Sequence, residues 1–263
     1  MSLELWFAAL PLWLAAIIIV ILPTLLAMGG SLFMRRAVTL ERLTTNNEVA
    51  GFKFAVLGVV YAVLLGFAVI VVWEKFHDAQ SAVAQEAGFT ATLFRLSNGL
   101  EAQSGDALRG GLQRYLRAAI DNDWPAMARG RSGPLATQAL NGLYTAVLTD
   151  HPADPRGAAV LAAVFSELDQ LTGARRDRIA LAGGAVPSVL WAVLFIGAVV
   201  TVGFTFFFGT LHLEAQVLMT GLLAISVFLG LLVILSINRP FTGDVSVDAK
   251  PLMAVLRDFA GEK

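Results

Sequence analysis

Residues Gly51 to Trp73, GFKFAVLGVVYAVLLGFAVIVVW, form an apolar run with one charge, Lys53, near its start. A helix needs about 20 mostly apolar residues to cross a bilayer, and this run has the length and no proline. At about 100° per residue, Gly51, Ala55, Gly58, Ala62 and Gly66 fall on one narrow stripe. Small residues at this spacing let a second helix backbone approach closely, which favours association in lipid. Beside the stripe lies a bulky, largely β-branched face: Val56, Val59, Val63, Phe67 and Ile70. The opposite side carries Leu57, Tyr61, Leu64 and Ala68. Two readings stand open. The stripe is either ordinary packing inside one bundle, or a contact that brings the bulky faces of several subunits around an axis.

The rest of the chain suits the same solvent. Of its 263 residues, 57% are hydrophobic and 15% charged, and the mean hydropathy is +0.71. A soluble domain carries about 25% charged residues, so an integral membrane protein with a modest aqueous part is expected. The net charge of −1 offers no basic balance for nucleic acid. The absence of cysteine excludes disulfides, thiolate metal sites and cysteine nucleophiles.

Taken in order, the N-terminal run lacks the basic n-region of a signal peptide and exceeds the usual h-region. It predicts a retained first span near Leu5 to Met28, with Pro11 and Pro23 as possible kinks. A polar loop, Gly29 to Ala50, leads into the second span, residues 51–73. Apolar positions continue at spacings of three and four through Phe76, Ala79, Val83, Ala87, Thr90 and Leu93. That period predicts one long helix leaving the bilayer and ending near Gly99 to Gly105. Three further helices are expected: Asp106 to Arg129, Leu135 to Thr149, and one from near Arg156 to the cluster Arg175, Arg176, Arg178. No segment alternates as a strand would. Spans three and four are expected at Pro187 to Gly209 and Gln216 to Ile237, followed by a tail with a short helix, Leu252 to Phe259.

The expected organisation is an all-α membrane protein with four transmembrane helices, two plus two, around a helical soluble insert. Its parts are 1–74 (spans about 5–28 and 51–73), 75–185 for the insert, 186–237 for the second pair of spans, and 238–263 for the tail. Both termini and the insert then share one side. Span-flanking positive charges are nearly balanced: Lys75, Arg175, Arg176, Arg178 and Arg239 against Arg35, Arg36, Arg42 and Lys53. They do not orient the chain.

With these residues in view, the chain resembles the bestrophins, and more closely the bacterial membrane proteins that carry a bestrophin-like domain. Phe54 to Phe67, FAVLGVVYAVLLGF, resembles the bestrophin pore helix. Pro240-Phe241-Thr242-Gly243-Asp244 resembles the motif that follows the fourth span, with one residue inserted. The resemblance implies a homopentamer with a central ion pore lined by second spans, and inorganic anions as cargo. It also implies a multi-pass protein of the inner (plasma) membrane, with the insert and both termini cytoplasmic. The hydrophobic neck would fall on Val59, Val63 and Phe67. The chain departs from the pattern where Ala68-Val69-Ile70 replaces polar residues, and where the acidic calcium clasp is reduced to Asp244 and Asp248.

Other chemistry finds little support. Glu74 and His77 have the spacing of half a di-iron site, but no second such pair exists. Three histidines make zinc improbable. No catalytic residue, metal or cofactor is expected. Lys53 could attract anions at a pore mouth or snorkel to head groups. Trp6, Trp13, Trp73 and Trp191 read as interfacial anchors. Glu167 with Asp169, or Asp121 with Asp123, could pair as carboxylates, but nothing marks a cleft around them and surface solvation is the default. The cluster Arg175, Arg176, Arg178 suits anionic lipid head groups, no more strongly than Arg35-Arg36. The leading functional expectation is an oligomeric ion channel or transport protein. Its rivals are a non-conducting membrane scaffold whose insert docks a partner, and a lipid-modifying membrane enzyme.

Overall fold

The structure is a computed structural model that describes residues 10–45, 47–152 and 154–261. The described residues are helices and short connections, with no strand. Two compact units divide the chain. One comprises residues 1–74, 184–238 and 243–245; the other comprises 75–183, 239–242 and 246–263. The tail is thus shared between the units rather than standing as a part of its own.

Among the described residues four helices are long and apolar enough to cross a membrane. The first is α1, Leu12–Ala37; the expected start near Leu5, and Trp6 with it, lies outside the described residues. A short helix α2, Leu40–Thr44, precedes α3, Asn47–Leu96, which runs 50 residues without a break. The third and fourth spans are α8, Ser188–Phe204, and α9, Leu213–Ile237. They join through a 3₁₀ turn, Thr205–Phe207, and a tight hairpin. The spans lock through small-for-large fits. Tyr61 donates from its hydroxyl to the Leu194 carbonyl at 3.1 Å. Its ring lies where a Cβ on Gly197 would approach within 2.6 Å. Leu65 fills the equivalent space over Gly230, and Met28 that over Gly221. Ser31 donates to Thr220 at 3.0 Å in the buried contact of α1 with α9.

The second unit contains the remainder of α3 with α4 (Ala102–Ala118), α5 (Trp124–Met127), α6 (Pro134–Leu148), α7 (Pro155–Leu181) and α10 (Lys250–Ala260). Its core gathers Leu93, Leu108, Leu112, Tyr115, Leu143, Val147, Val164, Leu168 and Leu171, all fully buried. These are the i, i+3, i+4 positions of four amphipathic helices, so burial follows directly from the period. Pro155 opens α7, and the Asp154 carboxylate caps it by accepting from Gly157 N at 2.6 Å.

Two helices widen into single π-turns, Ile17–Ile21 and Ala119–Asp123. Each ends two residues before a proline, Pro23 and Pro125. A proline removes the N–H that would bond four residues back, and its ring crowds that carbonyl. The wider turn relieves both effects without ending the helix.

Candidate functional site

Within the chain, the second span packs through only one side. Tyr61, Ala68 and Val72 are buried, and these continue the Leu57 side. The bulky face is left uncovered: Val59, Val63 and Phe67 are 63%, 50% and 64% exposed, and Val56 and Ile70 are exposed beside them. The small stripe adjoining it is open too. Among the described residues no atom lies within 4 Å of where a Cβ would stand on Gly58 or Gly66, and Gly51 meets only the edge of Phe208 at 4.0 Å. Ala55 and Ala62 are likewise exposed. Two adjoining uncovered faces, one apolar and bulky, one small, therefore run along one helix.

The tail motif has defined partners. Phe241 is buried among Ala79, Val83, Met127, Ala182 and Val247, with the Trp124 ring edge-on at 5.6 Å. Val247 N donates to the Pro240 carbonyl at 2.6 Å, and Thr242 donates from its hydroxyl to the Ala128 carbonyl at 3.2 Å. Gly243 has a φ of 85°, which a side chain would strain. That turn delivers Asp244 to the start of α1, where its carboxylate accepts from Leu12 N at 2.7 Å. Pro11 has no side chain able to cap this helix, so Asp244 does so from 232 residues away.

A third arrangement was not foreseen. In the second unit Glu86, Asp123, Arg175, Arg178 and Tyr115 form one buried network. Arg178 reaches Glu86 through Nε and Nη2 at 2.5 and 3.0 Å, and Asp123 through Nη2 at 3.1 Å. Its Nη1 points to the Met127 sulfur at 3.0 Å, and the guanidinium lies 4.9 Å from the Trp124 ring centre. Arg175 donates to Asp123 from Nε and Nη2 at 3.0 and 3.3 Å, and to the Thr137 hydroxyl at 3.1 Å. Tyr115 donates to Glu86 at 2.6 Å, and Gly133 N donates to Asp123 at 2.8 Å. A Cβ on Gly133 would press on the Asn122 side chain and crowd the Asp123 carboxylate.

Burial opposes the Arg178 charge, but Glu86, helped by Tyr115 and Asp123, holds its pKa above the ordinary value. Burial, and then the Glu86 charge, push the Tyr115 phenol well above its usual range. Two carboxylates and two guanidiniums thus balance in a region closed to water, the condition under which buried charge is tolerated.

These contacts correct three sequence readings. Arg175 and Arg178 do not face head groups; both are buried and paired, and only Arg176 of the cluster is exposed. Asp123 is fully buried, while Asp121 is exposed as expected. Trp191 is buried inside the span bundle rather than at its surface, whereas Trp13 and Trp73 are exposed. Glu74 and His77 are exposed on one turn, and no group of three or more metal-ligating side chains gathers among the described residues.

With this geometry in hand, the chain can be set beside known proteins. No curated protein sequence matches it. A bacterial bestrophin homolog from Klebsiella pneumoniae, solved by zinc phasing, superposes with a TM-score of 0.70 at 17% identity, over 92% of this chain and 99% of that one. A point variant of the Klebsiella pneumoniae homolog gives a TM-score of 0.72 at 16% identity, over 92% and 99%. At these identities the likeness establishes the fold. The family profile of the bestrophin-like domain matches residues 21–252. By that match, over most of its length, the chain belongs to the bestrophin-like family of multi-pass membrane proteins.

Proposed function

We propose that the protein is an oligomeric ion channel whose pore is lined by the second span. The observation that carries this reading is the pair of uncovered faces on that helix. The small stripe Gly51, Ala55, Gly58, Ala62, Gly66 suits close contact with a neighbouring copy. That contact turns Val59, Val63 and Phe67 toward a shared axis. Three residues four apart stack as rings on successive turns. Narrow apolar rings exclude water and hold a pore shut until it wets. A pentamer in the inner membrane, with the insert and both termini cytoplasmic, is the assembly that family resemblance favours.

The sign of the ion has two readings. Resemblance to bestrophins favours inorganic anions. Glu74, however, follows Ile70 by four and Phe67 by seven, so it continues the neck face, and it is exposed. A carboxylate ring beside the neck draws cations. Reversal potentials in asymmetric salt decide between them, and Glu74→Gln should reduce cation preference if the second reading holds.

Planar-bilayer recording tests conduction itself. Val63→Ala widens the middle ring and should raise leak current; Val63→Ser should raise it further because a hydroxyl helps wet the ring. Zero conductance in the wild type and both variants, with oligomers intact, would favour the alternative, a non-conducting scaffold whose insert binds a partner.

A further inference from the structure

The face that carries the neck does not end with the apolar run. The second-span helix continues from Asn47 to Leu96 without a break, so its residues keep one angular register at about 100° each. Past Trp73 its buried residues include Ala79, Val83, Glu86, Thr90 and Leu93. All of these fall on the far side of the helix from Val59, Val63 and Phe67. Glu74 and His77 instead fall within about 40° of the centre of the neck face, and both are exposed. Glu74 stands about 10 Å beyond Phe67 along the helix axis.

The two side chains are one turn apart, at the i, i+3 spacing that brings Cβ atoms within about 5–6 Å. A carboxylate and an imidazole so spaced on a helix can hold one ion. Among the described residues neither forms a hydrogen bond or an ion pair, so both remain available to a ligand. One chain gathers no third metal-ligating group around them among the described residues. Zinc sites take three or four protein ligands, so a single chain falls short.

Neighbouring copies supply the rest. If second spans surround a shared axis, each copy brings its Glu74–His77 turn to that axis just past the rings of the neck. Two copies then offer two carboxylates and two imidazoles, a four-ligand set that suits zinc. The sequence holds a single Glu-x-x-His pair; assembly, rather than a second motif, completes the set.

We propose that the assembled protein binds zinc through Glu74 and His77 of neighbouring copies, beneath the neck. The inference rests on the pore reading of the second span. His77 sets the preference among cations. Magnesium and calcium favour oxygen ligands, so a ring of carboxylates alone would accept them, whereas an imidazole favours zinc.

The test is native mass spectrometry of the full chain in detergent at neutral pH, with zinc as probe and magnesium as competitor. Zinc should appear on oligomers, with fewer ions than chains, and magnesium should not displace it. His77→Ala and Glu74→Gln should each weaken zinc binding about a hundredfold, at or beyond the cost of losing an outer-shell partner. Both side chains are exposed, so neither change should disturb folding, which thermal unfolding checks. Unchanged zinc affinity in both variants would overturn the inference, as would equal affinity for dissociated single chains or ready displacement by magnesium. Cross-linking separates the metal site from the pore reading. Val63→Cys, in a chain with no other cysteine, should form disulfides between copies under mild oxidation. Cross-links without zinc binding would overturn the metal site and leave the pore reading standing. Neither cross-links nor zinc binding would overturn both.

Discussion

Arg178 and Glu86 meet side on, Nε to Oε2 at 2.5 Å and Nη2 to Oε1 at 3.0 Å, with both side chains fully buried although they stand 92 positions apart in the chain. The pair ties the extension of the second-span helix to α7, and Asp123 extends it to the π-turn after α4. Removing one partner strands the other without water. Glu86→Gln should therefore cost about 3–5 kcal/mol, read by thermal or denaturant unfolding in detergent. Adding Arg178→Met should recover part of that loss, because the two changes remove one shared interaction. Additive losses would show that the pair is not coupled.

Tyr115 ties the network to pH. Its folded pKa lies well above the ordinary value near 10. A group with a raised folded pKa contributes fully below the unfolded pKa, and loses that contribution as pH rises toward the folded one. Stability should therefore hold up to about pH 10 and then fall. Tyr115→Phe should lower stability near neutrality by about 1.5–3 kcal/mol, the scale of a hydrogen bond to a charged group. It should also flatten the alkaline fall. A variant with an unchanged alkaline slope would place the pH dependence elsewhere.

The small stripe separates folding from assembly. Among the described residues no atom lies within 4 Å of the missing Cβ of Gly58, so Gly58→Leu should leave the protomer's thermal stability intact or raise it slightly. The same change should block close approach of a second helix. The expected result is a loss of oligomer mass by light scattering or native mass spectrometry, with helicity unchanged. Wild-type mass would assign the stripe to lipid.

Orientation is testable because the chain has no cysteine. Gln103 is exposed near the start of α4, whereas its neighbour Ser104 is buried and would report poorly. A Gln103→Cys variant should resist an impermeant thiol reagent in intact cells and react after lysis. Labelling before lysis would place the insert on the outer side.

Much of this protein follows from local sequence properties. The four spans come from the length of apolar runs, and the 50-residue helix from an unbroken period with no proline. The inward faces of α4, α6 and α7 follow the same period, as Leu108, Leu112, Leu143 and Leu168 illustrate. Each of these features needs information from within one helix.

Tertiary structure alone decided where the charges go. Arg175 and Arg178 read as surface residues because a charge on a helix is solvated unless a distant partner neutralises it, and nothing local names Glu86 or Asp123 as that partner. The one local sign was Glu86 itself, three residues after Val83 and four before Thr90 on an otherwise buried stripe. The same holds for the side of the second span that packs within the chain, set by Tyr61 against Gly197. It holds again for the hairpin, whose hydrogen bonds reach 162 and 175 residues along the chain to Asn47 and Arg35. Such partners are chosen by how the chain closes on itself, and periodicity carries no record of that choice.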